Sequence, residues 1–439
     1  MEDFTNKKNT HILVIPYPAP GHIIPMMDLT NQLAIRGLAI TIFTTPKNLH
    51  ILNPLVSNHP NLVQTLVLPF PSDPAIPAGV ENMQELPLTF LPHIFLALAK
   101  LHDPLLSWFQ SHPDPPRAII SDTFLSLWTY PLARRLGIRR LGFCPVQAAS
   151  MNEWWGRMES RKEGDVHEIY VKGYLASKAS DGLILNTFDE LERESSAYLK
   201  STFLGPQPVW AVGPLLPIKD GNGRGGPSSV PTSEVMTWLD SWQVDKSVVY
   251  VCFGSQINLT GSQMEVLADA LDRSGVRFIW VVKDLMRGIQ VAGDSQDLIP
   301  SGFEDRMAGR GLVIRGWAPQ VEILRHRAVG SYLTHCGWTS ALEGLLTETL
   351  LLLWPMQANQ FENARLLVDR LGVSVRVCEG LETVPNALEL ARILAESVDS
   401  TRLERARAME LRRVALDSTK PRGSSYMALD ELVKDLCKQ

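Results

Sequence analysis

One alternation runs twice through this sequence: short apolar stretches rich in β-branched residues, each followed by a longer amphipathic stretch. In the first half His11–Pro16 reads as a strand, Ile24–Arg36 as a helix stopped by Gly37, and Ala39–Thr44 as the next strand. Ala118–Ser121, Leu141–Phe143 and Gly182–Asn186 continue the strand series. The pattern breaks over Gly213–Glu234, which carries Gly, Pro, Ser and Asp in quantity and little hydrophobic periodicity. It restarts with strand Ser247–Phe253, helix Ser262–Arg273 and strand Phe278–Val282, then Leu312–Ile314, Ser331–Leu333 and Leu350–Trp354. Alternating strands and helices call for parallel sheets covered by helices on both faces. The expected fold is therefore α/β, with two doubly wound, Rossmann-like domains over 1–213 and 235–420 and a linker over 214–234. A last helix within 421–439, about Ser425–Lys438, gathers Leu429, Leu432, Val433 and Leu436 on one face and is expected to pack back on the N-terminal domain. Ligands of open α/β sheets bind beyond the carboxyl ends of strands, so the chemistry is expected in the loops after strands, in the cleft between the halves.

Composition removes several functional classes. Hydrophobic residues make up 45% and charged residues 20% of the 439, the balance of a folded globular chain. A net charge of −5 gives no basic face for nucleic acid. The five cysteines, Cys144, Cys252, Cys336, Cys378 and Cys437, are odd in number, scattered and never CxxC. That argues against a disulfide framework or zinc site and fits a reducing cytosol. Met1–Thr10 is polar, His11–Pro16 is too short for a secretory core, and Leu350–Trp354 is too short for a membrane span. No lipidation signal is read at the C-terminus. A cytoplasmic monomer without integral membrane contact is expected.

The segment Trp317–Gln360 reads WAPQVEILRHRAVGSYLTHCGWTSALEGLLTETLLLLWPMQANQ. It resembles the signature box of plant family 1 UDP-dependent glycosyltransferases over its full length. Pro20-Gly21-His22, Ser121-Asp122, Phe253-Gly254-Ser255-Gln256 and Gly423-Ser424-Ser425 are similar landmarks of that family, so the resemblance covers essentially the whole chain. It implies a fold of GT-B type and a UDP-sugar as co-substrate, with no cofactor.

The residues suit that chemistry. A UDP-sugar needs a flat wall for uracil, acceptors for ribose hydroxyls, donors for two phosphates and polar groups for the sugar. Trp317 offers the flat wall, and base stacking on an aromatic ring is worth roughly 1–3 kcal/mol. The resemblance implies that role, with backbone groups of Ala318 reading the uracil edge and Gln320 and Glu343 binding ribose. His335 ends a strand, Gly337 permits close approach, and Thr339 and Ser340 open a helix whose N-terminus suits an anion. Gly254 and Ser255 follow another strand and add a second loop of donors; the resemblance also includes Trp338 in the donor site. Alone, each has a plainer reading: a lone Trp is usually core, and a lone Ser at a helix start is usually a cap. Together and in this order they point to a nucleotide.

Transfer to a hydroxyl needs a base. His22 follows the first strand and Asp122 another, and a carboxylate on one imidazole nitrogen fixes the tautomer and stabilises the cation that forms. By the resemblance, His22 is the general base and Asp122 its partner in a single in-line displacement with inversion. No Asp-x-Asp occurs, so a metal clamp on the diphosphate is not indicated and no metal is expected; helix dipole and hydrogen bonds are left to handle the charge. Gly221, Gly223 and Gly226 satisfy G-x-G-x-x-G, but they sit in the linker before Pro227 with no helix opening there, so the fingerprint is rejected. Asn258-Leu259-Thr260 is a glycosylation sequon that a cytosolic chain would not use. A nicotinamide oxidoreductase would need glycines between Pro18 and His22, where only one stands. A non-catalytic UDP-sugar-binding protein would be expected to lack His22 or Asp122, and both are present.

Three departures from the family pattern bear on the donor. Thr339 replaces the usual Asn, Asn359-Gln360 replaces Asp-Gln, and Thr347-Glu348-Thr349 replaces a Gly-Val-Pro turn. Asn359 accepts hydrogen bonds through one uncharged carbonyl, and in the family this pair touches the sugar. His11–Pro25, Thr45–Asn48, Leu68–Glu81 and Arg315–Gln320 look like the branch with flavonol 7-O-rhamnosyltransferases and phenolic glucosyl- or xylosyltransferases. The segment between Pro145 and Leu183 is short for the superfamily, which is similar to the rhamnosyl members, whereas Gln360 resembles the glucosyl-using ones. UDP-glucose and UDP-rhamnose stand level as donors, with UDP-xylose behind. The acceptor implied is a small phenolic, a flavonol with its 7-hydroxyl favoured; another phenolic or a terpenoid is the alternative. Phe90, Phe124, Trp128, Trp154 and Trp155 are candidates to line a flat apolar slot for it, although any one of them is more often core.

Overall fold

The computed structural model describes residues 10–160, 165–215, 224–283 and 299–438. Gly221 and Gly223 of the rejected fingerprint, and part of the 214–234 linker, lie outside them. The chain divides into two compact units, one of residues 1–220 with 417–439, the other of 221–416.

The first unit holds a seven-stranded sheet in the order β3-β2-β1-β4-β5-β6-β7. Its strands are β1 (His11–Ile15), β2 (Ala39–Thr44), β3 (Val63–Val67), β4 (Ala118–Asp122), β5 (Arg139–Cys144), β6 (Leu183–Leu185) and β7 (Val209–Ala211). All the pairings are parallel. Chain order reverses between β1 and β4, which makes their carboxyl ends the switch point where such sheets bind ligands. The helix Pro20–Ile35 follows β1 with Pro20 in its first turn, where a missing N–H costs nothing. Pro20-Gly21-His22 is thus the opening of that helix.

One apolar face of this sheet, with Ile12, Val14, Ile120 and Phe143, meets Leu29 and Leu33 of that helix. The C-terminal helix Ser424–Leu436 adds Leu429, Leu432, Val433 and Leu436 to the same cluster. Arg36 bonds Asp430 at 2.8 Å, Arg139 bonds Asp435 at 2.5 Å, and Ser425 Oγ donates to the Gly213 carbonyl.

The second unit holds a six-stranded parallel sheet in the order β10-β9-β8-β11-β12-β13. Its strands are β8 (Val248–Cys252), β9 (Arg277–Val282), β10 (Gly311–Arg315), β11 (Val329–Thr334), β12 (Leu350–Leu353) and β13 (Ser374–Arg376). The switch point here lies between β8 and β11. Helix Gly261–Ser274 begins at a reciprocal capping box of Thr260 and Gln263 and ends at Gly275. Among the described residues no helix is long and apolar enough to cross a membrane, and no group of three or more His, Cys, Asp or Glu could hold a metal ion.

Candidate active site

In the first unit, β1 and β4 deliver one polar group each to their shared switch point. His22 stands in the first turn of helix Pro20–Ile35, its backbone N–H on the Ala19 carbonyl at 2.9 Å. Asp122 is the last residue of β4 and wholly buried. Its Oδ1 accepts the Phe124 N–H at 2.8 Å and so caps the short turn Thr123–Leu125. Its Oδ2 lies 2.7 Å from His22 Nδ1. A carboxylate partner puts the proton on Nδ1 and leaves Nε2 with the lone pair. The pair can therefore take a proton at Nε2 and stabilise the resulting imidazolium.

Arg140, wholly buried, underlies this pair. Its guanidinium donates to Ser121 Oγ from Nε at 2.9 Å and Nη2 at 2.8 Å, to the Asp122 carbonyl at 3.1 Å, and to Ser180 Oγ. Desolvation draws its pKa down to about 9 against the opposing pull of Asp122 and Asp181.

Rings enclose the imidazole. Tyr17 and Phe124 lie 5.1 and 4.8 Å from His22 between centroids, and Tyr17 also meets Phe95 at 5.7 Å. Phe124 meets Trp154 and Phe95 meets Tyr170, each at 6.0 Å. The buried Tyr17 hydroxyl has its pKa raised, first by desolvation and then by the Asp122 charge. Of the acceptor-slot candidates, Phe124 and Trp154 join this group. Trp128 is 4% exposed on helix Ser126–Leu136 and belongs to the core. Phe90 stands 6.0 Å from His93. Trp155 is wholly buried against Tyr174 and Phe203, so it is core and not slot. Tyr17, Phe95, Tyr170 and Arg140 were not read from the sequence; Tyr17, five residues before His22, was the nearest signal.

In the second unit, β8 is followed by Gly254 and Ser255, and β11 by His335, Cys336 and Gly337. A Cβ on Gly254, at φ +72°, would lie 2.5 Å from His335 Cε1, and one on Gly337 would lie 2.5 Å from His335 Nε2. The close approach that Gly337 allows is thus first to the imidazole between the two glycines. Desolvation holds His335 down to about 4, so it is neutral near pH 7. Helix Trp338–Leu346 starts at Gly337 with no side-chain cap on its first turn. Thr339 and Ser340 stand in that first turn. Trp338 is 3% exposed, so its ring is core and only its backbone lies at the helix start.

Trp317 follows β10 after Gly316, at φ +100°. Its indole N–H donates to the Arg224 carbonyl at 3.2 Å, and its backbone N–H donates to Ser229 Oγ at 2.8 Å. Its carbonyl accepts the Ser229 N–H at 2.7 Å. The Ala318 carbonyl accepts the Gln320 N–H at 2.8 Å. Gln320 is fully engaged: Oε1 accepts from Tyr332 at 3.0 Å and Tyr250 at 3.3 Å, while Nε2 donates to Glu343 Oε2 at 2.6 Å and Ser340 Oγ at 3.3 Å. The other Glu343 oxygen is ion-paired with Arg224 Nη1. Arg224, inside the expected linker, was missed.

At the end of the box, Gln360 Oε1 accepts the N–H groups of Met356 and Gln357, both at 2.9 Å, which leaves its NH2 group to donate elsewhere. Asn359, partly buried, precedes helix Gln360–Ala364. The Thr347-Glu348-Thr349 turn places Glu348 at φ +63°. Thr347 Oγ1 donates to the Glu343 carbonyl at 2.9 Å and Thr349 Oγ1 to the Gly344 carbonyl at 2.8 Å, so two hydroxyls finish the helix end.

Residues 215–400 match the family model described as UDP-glucoronosyl and UDP-glucosyl transferase. The chain is 47% identical over 438 residues to a flavonol 7-O-rhamnosyltransferase of Arabidopsis thaliana, covering 99% of each. It is 46% identical to a flavonol 3-O-glucosyltransferase of the same plant, covering 99% of this chain and 97% of the other. The crystal structure of Arabidopsis thaliana UGT89C1 complexed with UDP-L-rhamnose superposes with a TM-score of 0.90 at 46% identity, covering 98% of this chain and 100% of that one. The same protein complexed with quercetin gives a TM-score of 0.88. With two parallel α/β units of GT-B type and identity at this level along its whole length, the chain belongs to the UDP-glycosyltransferase family and is a glycosyltransferase enzyme.

Proposed function

We propose that this enzyme transfers a sugar from a UDP-sugar to a hydroxyl of a flavonol, the 7-hydroxyl favoured, with inversion at the anomeric carbon. The observation that carries this reading is the 2.7 Å bond between His22 and the buried Asp122 inside a ring of aromatic side chains. His22 Nε2 takes the acceptor proton as the oxygen attacks, Asp122 holds the imidazolium, and UDP departs. Phe124 and Trp154 offer flat apolar surface to the acceptor. On the donor side, Trp317 stacks on uracil, Ala318 reads its edge, and Glu343, positioned by Gln320, holds ribose. The diphosphate sits on the first N–H groups of helix Trp338–Leu346 at Thr339 and Ser340, helped by Gly254, Ser255, His335 and Gly337. Asn359 and Gln360 meet the sugar.

Two donors are favoured by different observations. The match to the rhamnosyltransferase runs over 438 residues with 99% of both chains covered, which supports UDP-rhamnose. Gln360, which resembles the residue of the glucosyl-using members, supports UDP-glucose. The five unpaired cysteines support work in a reducing compartment, the cytosol.

Incubation of the pure enzyme with kaempferol and each of UDP-glucose, UDP-rhamnose and UDP-xylose, with and without EDTA, tests the reading by product mass. A mass gain with UDP-glucose or UDP-rhamnose, unaffected by EDTA and lost in His22→Ala, is expected. Full activity in His22→Ala would overturn the catalytic assignment. A gain with UDP-xylose alone would overturn the donor assignment.

A further inference from the structure

Arg224 and its neighbours touch the proposed donor site at more points than a tether between domains requires. The Arg224 carbonyl takes the Trp317 indole N–H at 3.2 Å. Ser229 exchanges two bonds with the Trp317 backbone, at 2.7 and 2.8 Å, and Ser228 Oγ adds a third at 3.3 Å. A Cβ on Gly316 would fall 2.3 Å from Ser229 Oγ, so glycine there is what lets the strap lie so close. The Arg224 side chain, 14% exposed, ends on Glu343, itself 8% exposed.

Resting on the donor-site reading above, we propose that Arg224 is a further donor-binding residue, which ion-pairs Glu343 until ribose arrives and then holds the diphosphate. Both Glu343 oxygens already have protein partners, Arg224 on one and Gln320 on the other. The carboxylate has lone pairs for further donors, but with these two partners in place it is only 8% exposed, so ribose hydroxyls reach it only where one of them gives way. Gln320 is anchored at its other end by two tyrosine hydroxyls, so Arg224 is the partner that leaves. Glu343 lies four residues into the helix from Thr339, which at 1.5 Å per residue is about 6 Å along the axis. The freed guanidinium is therefore left little more than one helical turn from the N–H groups proposed to hold the phosphates, and bidentate pairing with a phosphate is its best alternative. Arg224 then serves the leaving group from the same strap that fixes the edge of Trp317.

The two halves of this proposal act in opposite directions on ligands with and without phosphate. Calorimetric titration of the full chain, Arg224→Ala and Arg224→Gln with uridine and with UDP reads both. The expected result is a UDP affinity lower by roughly tenfold to a hundredfold, the size of a charge-assisted contact, while uridine binds equally or more tightly because Glu343 is released. Arg224→Lys should restore part of the UDP affinity. If uridine and UDP weaken by the same factor, the strap is structural only and the proposal is overturned; unchanged binding of both overturns it as well. An unsubstituted chain that binds no UDP overturns the donor-site reading and this proposal together.

Discussion

The His22 site and the Trp317–Gln360 segment distribute their polar groups in opposite ways. Around His22 there is one imidazole and one carboxylate among rings, and the outer nitrogen, Nε2, is left with its lone pair. Along Trp317–Gln360, by contrast, Gln320, Glu343 and Gln360 each hold two or more protein partners. A base must keep a reactive atom uncommitted, and apolar walls help by excluding competing donors. A nucleotide site needs many groups at fixed positions, and mutual bonding supplies that, at the cost of partners that must be exchanged when the ligand arrives.

The contrast predicts that damage to the first region appears in turnover and damage to the second in binding. The largest effect is expected for Asp122→Asn, which leaves the shape but removes the charge that stabilises the imidazolium. Turnover should fall roughly 10²–10⁴-fold with UDP affinity unchanged by titration; a matching loss of UDP affinity would break the division. Trp317→Ala should do the reverse. Loss of a stacking contact of about 1–3 kcal/mol raises the donor KM about 5- to 150-fold with kcat nearly constant, and uridine and UDP should weaken alike. A fall in kcat at saturating donor would show that the indole acts on the chemistry too.

The smallest effect is on pH and stability. Burial holds His335 near 4, below its ordinary value of 6.5. As pH falls the unfolded chain takes up this proton first, so the contribution is complete above pH 6.5 and is lost as pH drops toward 4. In thermal melts over that window, His335→Gln should show a shallower decline of Tm, by roughly 2–4 °C for each kcal/mol of lost linkage. An unchanged slope would mean that carboxylates elsewhere set the acid limb.

The contiguous part of the molecule was the legible part. Trp317–Gln360 lies in one stretch, and its order could be read without knowing the fold. The two alternating halves followed from the period of the apolar runs. Three strands were not read: β3, β7 and β13, all at sheet edges. Of β3 only Val63 is buried, and β7 and β13 are three residues each, too short to display a period. The surroundings of His22 were hidden for another reason. Phe124 and Trp154 were among the candidates, but Tyr17, Phe95 and Tyr170 come from separate elements, and only strand order brings such positions to one switch point. Arg140 is the second residue of β5, in an Arg139-Arg140 pair whose charge suits a surface, yet it is wholly buried. Arg224 lay in a segment whose composition reads as linker, and composition carries no record of what a segment lies upon.

The C-terminal helix packs its leucines into the first sheet's core, so both ends of the chain belong to one unit and residues 221–416 are topologically an insertion. Chimeras between relatives therefore need two junctions. Exchanging everything after residue 220 would graft a foreign helix onto the Ile12–Val14 face, and its mismatched leucines would be read as failure of the wrong half. Exchanging 221–416 alone keeps Arg36–Asp430 and Arg139–Asp435 native and moves the second unit as one piece.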